Sequence, residues 1–270
     1  MAERPRVYKT EAVVLRRRNI GEADSIFTVY SDELGKFDAV ARGVRKARSH
    51  MRGHLEPLTR TRLLLARGRS LDVFTQAETV TPYRALREDL ELSASALYCA
   101  ELVDRFAAEH VPHDGLYALL IEAFDALESR AAPQLLRAFE LQLLSMMGYE
   151  LQLDACAICA SRLPEEETLL SAVAGGFACV GCREEVAGGR ILSVRAMKVL
   201  RYGRNVDLAS FAAVRLDEGL ATELQGALAE VIRYVLDREP NLPRYMDDVI
   251  RVSREREPNP AAAVQSETHS

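Results

Sequence analysis

Apolar and polar positions alternate with a period of two through the first eighty residues, the pattern of strands that bury one face. In "DSIFTVYSD", Ile26, Thr28 and Tyr30 alternate against Phe27 and Val29. In "KFDAVARGVRK", Phe37, Ala39 and Ala41 share a face. "YKTEAVVLRRR" before these segments, with "TRTRLLLA" and "SLDVFTQAETV" after them, makes five predicted strands, the last two joined by the tight polar turn "RGRS". A short helix is expected around "SHMRGHL", between the third and fourth strands. Five strands with a helix after the third fit the small Greek-key barrel called the OB-fold, with an SH3-like barrel as the rival of equal strand count.

At "VTPYR" the period lengthens, because Pro82 ends the strand and a helical repeat takes over. Leu86, Leu90, Leu97, Leu102 and Phe106 fit one helix face. Asp114 is placed to cap a second helix carrying Leu116, Leu119, Leu120, Ala123, Phe124 and Leu127. Pro133 suits the first turn of a third, "PQLLRAFELQLLSMMG", which Gly148 would end. Helices resume after residue 190 in "SVRAMKVLRYGR", "EGLATELQGALAEVIRYVLDRE" and a short run near "PRYMDDVI". The expected class is therefore α+β and multidomain. An OB-fold barrel spans residues 1–81, and an α-helical domain runs over 82–150 and 191–252. A cysteine segment at 151–190 is embedded in that domain, and a polar tail over 253–270 is expected to be disordered.

Composition changes this picture little, since 48% apolar and 28% charged residues are ordinary for a soluble domain. No run reaches the roughly 18 apolar residues of a membrane span, and the N-terminus lacks a secretory h-region. A cytoplasmic protein with reduced thiols is the expectation. Charge changes the picture more. The chain totals −5, yet residues 1–80 hold 16 Lys and Arg against 10 Asp and Glu, a surplus of +6. Such asymmetry points to an anionic partner, nucleic acid above all.

Two complete C-x-x-C pairs, Cys156 with Cys159 and Cys179 with Cys182, are separated by 19 residues. The spacing falls in the window of a tetrahedral zinc site, and "VAGGFACVGC" has the glycines that a metal-binding turn needs. With all four positions filled by protein, Zn2+ would be structural, one ion per chain. Disulfides are the lesser alternative in a reducing compartment, and a thioredoxin-like role lacks its βαβ setting. Cys99, inside a helical segment, reads as a small core residue. Phosphate-binding loops, dinucleotide fingerprints, metalloprotease helices and nucleophile elbows are all missing from the sequence. None of the five histidines sits beside an obvious nucleophile. The reading is a binding protein, not an enzyme, with no small-molecule substrate and no membrane partner.

"ARGVRKARSHMRG" places Arg42, Arg45, Lys46, Arg48 and Arg52 within eleven residues that contain no acid. Many such runs are merely solvated. This one leaves a predicted OB barrel, where single strands track a positive groove. Arg16 and Arg17 end the first strand, and Lys36 and Arg42 lie along the third. These eight cations are the expected phosphate contacts, giving sequence-tolerant and salt-sensitive binding.

The runs "GEADSIFTVYSDELGK", "ARGVRK" and "MMGYELQLDACAIC" leading to "CVGC" resemble the RecO family of bacterial recombination mediators, in the same order and over about residues 6 to 250. The resemblance implies binding to single- and double-stranded DNA, strand annealing, and help in loading the RecA recombinase. It implies RecR and the C-terminal tail of single-strand-binding protein (SSB) as partners, with nucleoid association in the cytoplasm. Some family members lack the four cysteines, so zinc is not essential to the shared activity. A receptor for the SSB tail needs an apolar pocket beside a cation. Arg137, on a greasy helix, Arg195 and Lys198, on a basic helix face, and Arg244, in "LPRYMDD", are the candidates, although each also reads as a snorkelling surface cation. From another class, a zinc-ribbon transcriptional regulator reading duplex DNA is the alternative, and a metal-dependent hydrolase is a third.

Overall fold

Residues 6–129 and 134–237 are described by the computed structural model. Strands β1 (Val7–Ile20), β2 (Asp24–Ser31), β3 (Gly35–Ala41), β4 (Arg60–Ala66) and β5 (Asp72–Thr81) close a barrel in the order β1-β2-β3-β5-β4. A single 3-10 turn, Arg52–His54, stands between β3 and β4 where the short helix was expected. This order, with β3 and β5 parallel over their short contact, is the OB topology. The third strand stops at Ala41, earlier than the alternating pattern, because Gly43 enters the left-handed region and turns the chain back over the barrel.

β2 is buried on both faces, not on one. Phe27 and Val29 join Ala12, Val14, Phe37, Leu63, Leu65 and Phe74 inside the barrel. Tyr30, with Val13 and Leu15 of β1, faces outward into a second core made by the helices. The alternation of β1 and β2 therefore feeds two cores at once.

The helices are α1 (Ala85–Glu88), α2 (Leu90–Phe106), α3 (Leu116–Glu128), α4 (Leu135–Met146), α5 (Val194–Gly203), α6 (Leu208–Ala212) and α7 (Glu218–Leu236). The face expected from Leu86 to Phe106 is broken at Asp89, which is extended and caps α2 through the Glu91 and Leu92 amides. Leu90 is consequently exposed rather than part of the buried stripe. Gly115, left-handed, precedes α3 in place of an Asp114 cap, while the six apolar residues predicted for α3 are all buried. Gly148, also left-handed, ends α4: its amide donates to Ser145 and the Tyr149 amide donates to Leu144, a Schellman motif. Pro133, the run "PRYMDDVI" and the tail from Ser253 lie outside the described residues.

Between α4 and α5 the cysteine segment folds as a three-stranded sheet of β6 (Thr168–Ser171), β7 (Gly176–Ala178) and β8 (Arg190–Leu192), ordered β7-β6-β8. Leu151, Leu153, Leu170, Phe177 and Leu192 bury their side chains in the core of the helices. The sheet is therefore fused to the helical body.

Candidate nucleic-acid interface and metal centre

The loop from Arg42 to Thr59 is pinned at two points. Val44 and Leu55 are fully buried in the barrel core and anchor the loop at both ends of its basic run. The Gly43 amide donates to Asp24 Oδ1 at 2.7 Å and the Arg45 amide to Ala23 O at 2.9 Å. The Arg45 guanidinium adds a bond to Gly21 O at 3.1 Å. These contacts seat the loop on the β1–β2 turn. Arg42, Arg45, Lys46, Arg48 and Arg52 are all exposed.

The other three predicted cations differ. Arg17, on β1 near the same turn, donates to Asn19 Oδ1 (3.2 Å) and Ser25 Oγ (3.3 Å), with its Cζ 5.7 Å from the Phe27 ring centroid. Arg16 Nε lies 2.6 Å from Asp104 Oδ2 of α2. Lys36 Nζ is 3.4 Å from Asp104 Oδ1 and donates to the Asp104 carbonyl. Arg16 remains half exposed, but Lys36 is mostly covered. These two side chains strap the barrel to α2. Asp104 carried no signal in the sequence, because its role exists only once α2 lies across the barrel.

Gly35, at the β2–β3 turn, completes this junction. A Cβ there would lie 2.3 Å from Val111 O, so only glycine admits the approach, and its φ of +66° suits glycine too. The His110 amide donates to Lys36 O at 2.8 Å, and the His110 ring stacks on Phe37 with centroids 6.2 Å apart.

The four cysteines of the two C-x-x-C pairs converge. Their Sγ atoms all lie within 4.8 Å of one another, and Cys159 and Cys179 are 3.8 Å apart. A tetrahedral ion with metal–sulfur bonds of about 2.3 Å sets its sulfurs about 3.8 Å apart, so the donor set fits. One pair lies on a turn tied to β7 by Ala157 N–H donating to Phe177 O (2.7 Å); the other follows β7 directly. Burial pushes the Cys156 thiol up, but backbone N–H donation from Cys159, Cys179 and Ile158 outweighs it and brings the group down to about 6. Hydrogen bonding with the Cys179 and Cys159 sulfurs pushes Cys182 up to about 12. A dication held at the centre would take all four sulfurs as thiolates. Cys99 lies apart, fully buried in the helical core.

The predicted partner cations scatter. Arg137 of α4 is buried, with Nη2 2.8 Å from Oε1 of fully buried Glu140, which also accepts from Tyr98 Oη at 2.7 Å. Arg195 pairs with Asp217 (2.7 Å) and Lys198 with Glu165 (2.8 Å), both on the surface. Arg204 reaches Asp154 at 2.8 Å, and Arg201 donates to Leu153 O at 2.7 Å. Lys198, Arg201 and Arg204, on and just after α5, thus hold the cysteine segment, while Arg195 holds the cap of α7. Arg244 lies outside the described residues.

The fold and site define an OB-barrel protein with a cationic loop, joined to a helical body that carries a cluster of four thiols able to hold a metal ion. Residues 4–83 match the family described as Recombination protein O N terminal, and residues 87–243 match Recombination protein O C terminal. The chain is 38% identical over 256 residues to the DNA repair protein RecO of Roseiflexus sp. (strain RS-1), covering 94% of this chain and 90% of the relative. It is 35% identical to the DNA repair protein RecO of Pelotomaculum thermopropionicum, covering 90% and 94%, and 33% identical to that of Dehalococcoides mccartyi (strain CBDB1), covering 91% and 97%. The chain belongs to the RecO family.

Proposed function

We infer that this chain is a DNA repair and recombination mediator that works by binding and not by catalysis. It holds single- and double-stranded DNA on the basic end of its barrel and anneals complementary strands. With RecR it helps to load RecA onto strands coated by SSB. The observation that carries this reading is the anchored loop: five exposed cations, Arg42, Arg45, Lys46, Arg48 and Arg52, on a rigid seat beside Arg17. Such a surface neutralises phosphates with release of counterions, and one that holds two strands lowers their mutual repulsion. The relatives' name, DNA repair protein, points the same way.

Zinc is the ion that the four thiols favour, one per chain and structural, since no coordination position is left for water. Among the partner cations, Arg195 and Lys198 are the more available to RecR or the SSB tail, because their surface ion pairs exchange at little cost. Arg137 is committed to Glu140, and Arg244 remains a candidate from the resemblance alone. The protein acts in the cytoplasm, in association with the nucleoid; among the described residues, no helix is long and apolar enough to cross a membrane.

The test is charge reversal of Arg42, Arg45 and Lys46 to Glu, measured by fluorescence anisotropy with labelled single strands and by annealing of SSB-coated complementary strands with and without RecR. Binding and annealing at moderate salt should be lost while the circular dichroism spectrum is kept. Wild-type affinity in the variant would refute the reading, and strong preference for one duplex sequence would indicate a regulator instead.

A further inference from the structure

The wall of the barrel carries a cavity that none of the expected DNA contacts occupies. It holds about 390 Å³ and lies between the far half of the basic loop and the outer faces of β1, β4 and β5. That volume is near the lower end of small-ligand pockets, room for one nucleotide rather than a length of strand.

Its lining is chemically suited to that occupant. Met51 and His54, from the loop and its 3-10 turn, supply soft, flat surface of the kind that packs on an aromatic ring. Thr75 and Gln76 of β5 supply hydrogen-bonding groups for a base edge. Lys9 of β1 and Arg62 of β4 supply positive charge at the rim, against the single carboxylate of exposed Glu78. Arg62 is loosely held, 3.8 Å from Glu11 and 3.6 Å from Glu78, so its guanidinium can turn to a phosphate.

Two local features build this site. Thr75 is a β-bulge: Leu64 faces Gln76 and Leu65 faces Phe74, leaving Thr75 without a partner, its hydroxyl bound to Leu64 O at 2.9 Å. Bulges re-aim side chains and gather beside binding sites. His54 is fixed from the other side. Its Nδ1 accepts from the Thr79 amide (3.2 Å) and lies 2.8 Å from the Thr79 hydroxyl, so the ring proton sits on Nε2 and is left to donate.

We propose that the cavity formed by Lys9, Met51, His54, Arg62, Thr75 and Gln76 receives one unstacked nucleotide of a single strand lying on the basic loop. The proposal rests on the DNA-binding reading above and deepens it. Arg48 and Arg52 belong to the same loop as Met51 and His54, so a backbone held by those cations delivers a base to the cavity mouth. A paired base could not enter. The site thereby favours single strands over duplex, which charge alone does not do.

The experiment compares oligothymidine with an abasic deoxyribose-phosphate oligomer of equal length and charge, by fluorescence anisotropy at one salt concentration. Wild-type protein should bind oligothymidine about tenfold more tightly, the scale of one base stacked on a side-chain platform. In Gln76→Trp, which fills the cavity from an exposed strand position, the two affinities should converge on the abasic value with the thermal midpoint unchanged. Met51→Ala removes the platform without adding bulk and should act in the same direction. Equal affinity of wild-type protein for both oligomers overturns the proposal and leaves strand binding intact. A thymidine preference that survives both variants places the base elsewhere and also overturns it. Failure of wild-type protein to bind either oligomer removes the DNA-binding reading and the proposal together.

Discussion

Asp104 on α2 holds two cations of the barrel at once, Arg16 through one carboxylate oxygen and Lys36 through the other. Residues that look like phosphate ligands from their spacing are thus engaged across the junction between barrel and helices. Asp104→Ala should destabilise the protein by about 1–3 kcal/mol, because largely covered Lys36 loses its partner, a fall in the thermal midpoint of a few degrees for a chain of this size. The same change releases half-exposed Arg16, so affinity for a single strand should be kept or should rise. Calorimetry with anisotropy measures both, and a large loss of DNA affinity would show that Arg16 needs Asp104 to be positioned.

Arg137 and Glu140 form a buried ion pair that the Tyr98 hydroxyl joins at the same carboxylate oxygen, Oε1. Burial drives the Glu140 carboxyl upward, while Arg137 and the Tyr98 donor oppose it. Arg137→Ala would strand that carboxylate and should cost about 3–5 kcal/mol in urea unfolding. Replacing all three groups, as Arg137→Met, Glu140→Leu and Tyr98→Phe, should return stability to near wild type. Any partner-binding defect of Arg137→Ala must therefore be compared with that triple variant.

For the metal centre, the purified protein should carry close to one zinc per chain by plasma mass spectrometry. Cys156→Ser should remove most of it and lower the thermal midpoint by several degrees, since Cys156 belongs to the helical core as well as to the thiol cluster. DNA affinity should fall less than twofold, because the cationic loop belongs to the separate barrel core. Loss of annealing in a variant of unchanged stability would contradict a purely structural ion.

Asp217 caps α7, accepting from the Leu220 amide at 2.9 Å while Arg195 lies 2.7 Å away. The backbone donor first, and then Arg195, hold its carboxyl below the ordinary 3.8. A folded-state value depressed in this way contributes stability that is present above the unfolded value and lost as pH falls through the folded one. Melting temperature should therefore decline on acidification below about pH 4. The decline should be shallower in Asp217→Asn, which keeps a capping oxygen that does not titrate. Identical acid profiles would contradict the assignment.

Much of the fold was legible because local patterns and tertiary demands agree. The six apolar residues of α3 and the inward faces of β3 and β4 follow their periods, and the cysteine spacing alone anticipated the converging thiols. What escaped was set by contacts between distant segments. The alternation of Ile26, Thr28 and Tyr30 against Phe27 and Val29 does not reveal that both faces of β2 are buried. The break at Asp89 was hidden because leucines continue in helical register through it. The acids that engage Arg16, Lys36, Lys198 and Arg204 lie 33 to 88 positions away and carry no motif. The wall cavity escaped for a related reason, since the bulge at Thr75 is defined only by how β5 pairs with β4.

The double use of β1 and β2 bears on how the chain reaches its native state during synthesis. Val13, Leu15 and Tyr30 point out of the barrel and wait for α2 and α3, which leave the ribosome later. A nascent chain that stopped after β5 would display an apolar strand face, the kind of surface that draws chains together. Excised at that boundary, the barrel would need these three residues replaced by polar ones before it could stay in solution alone.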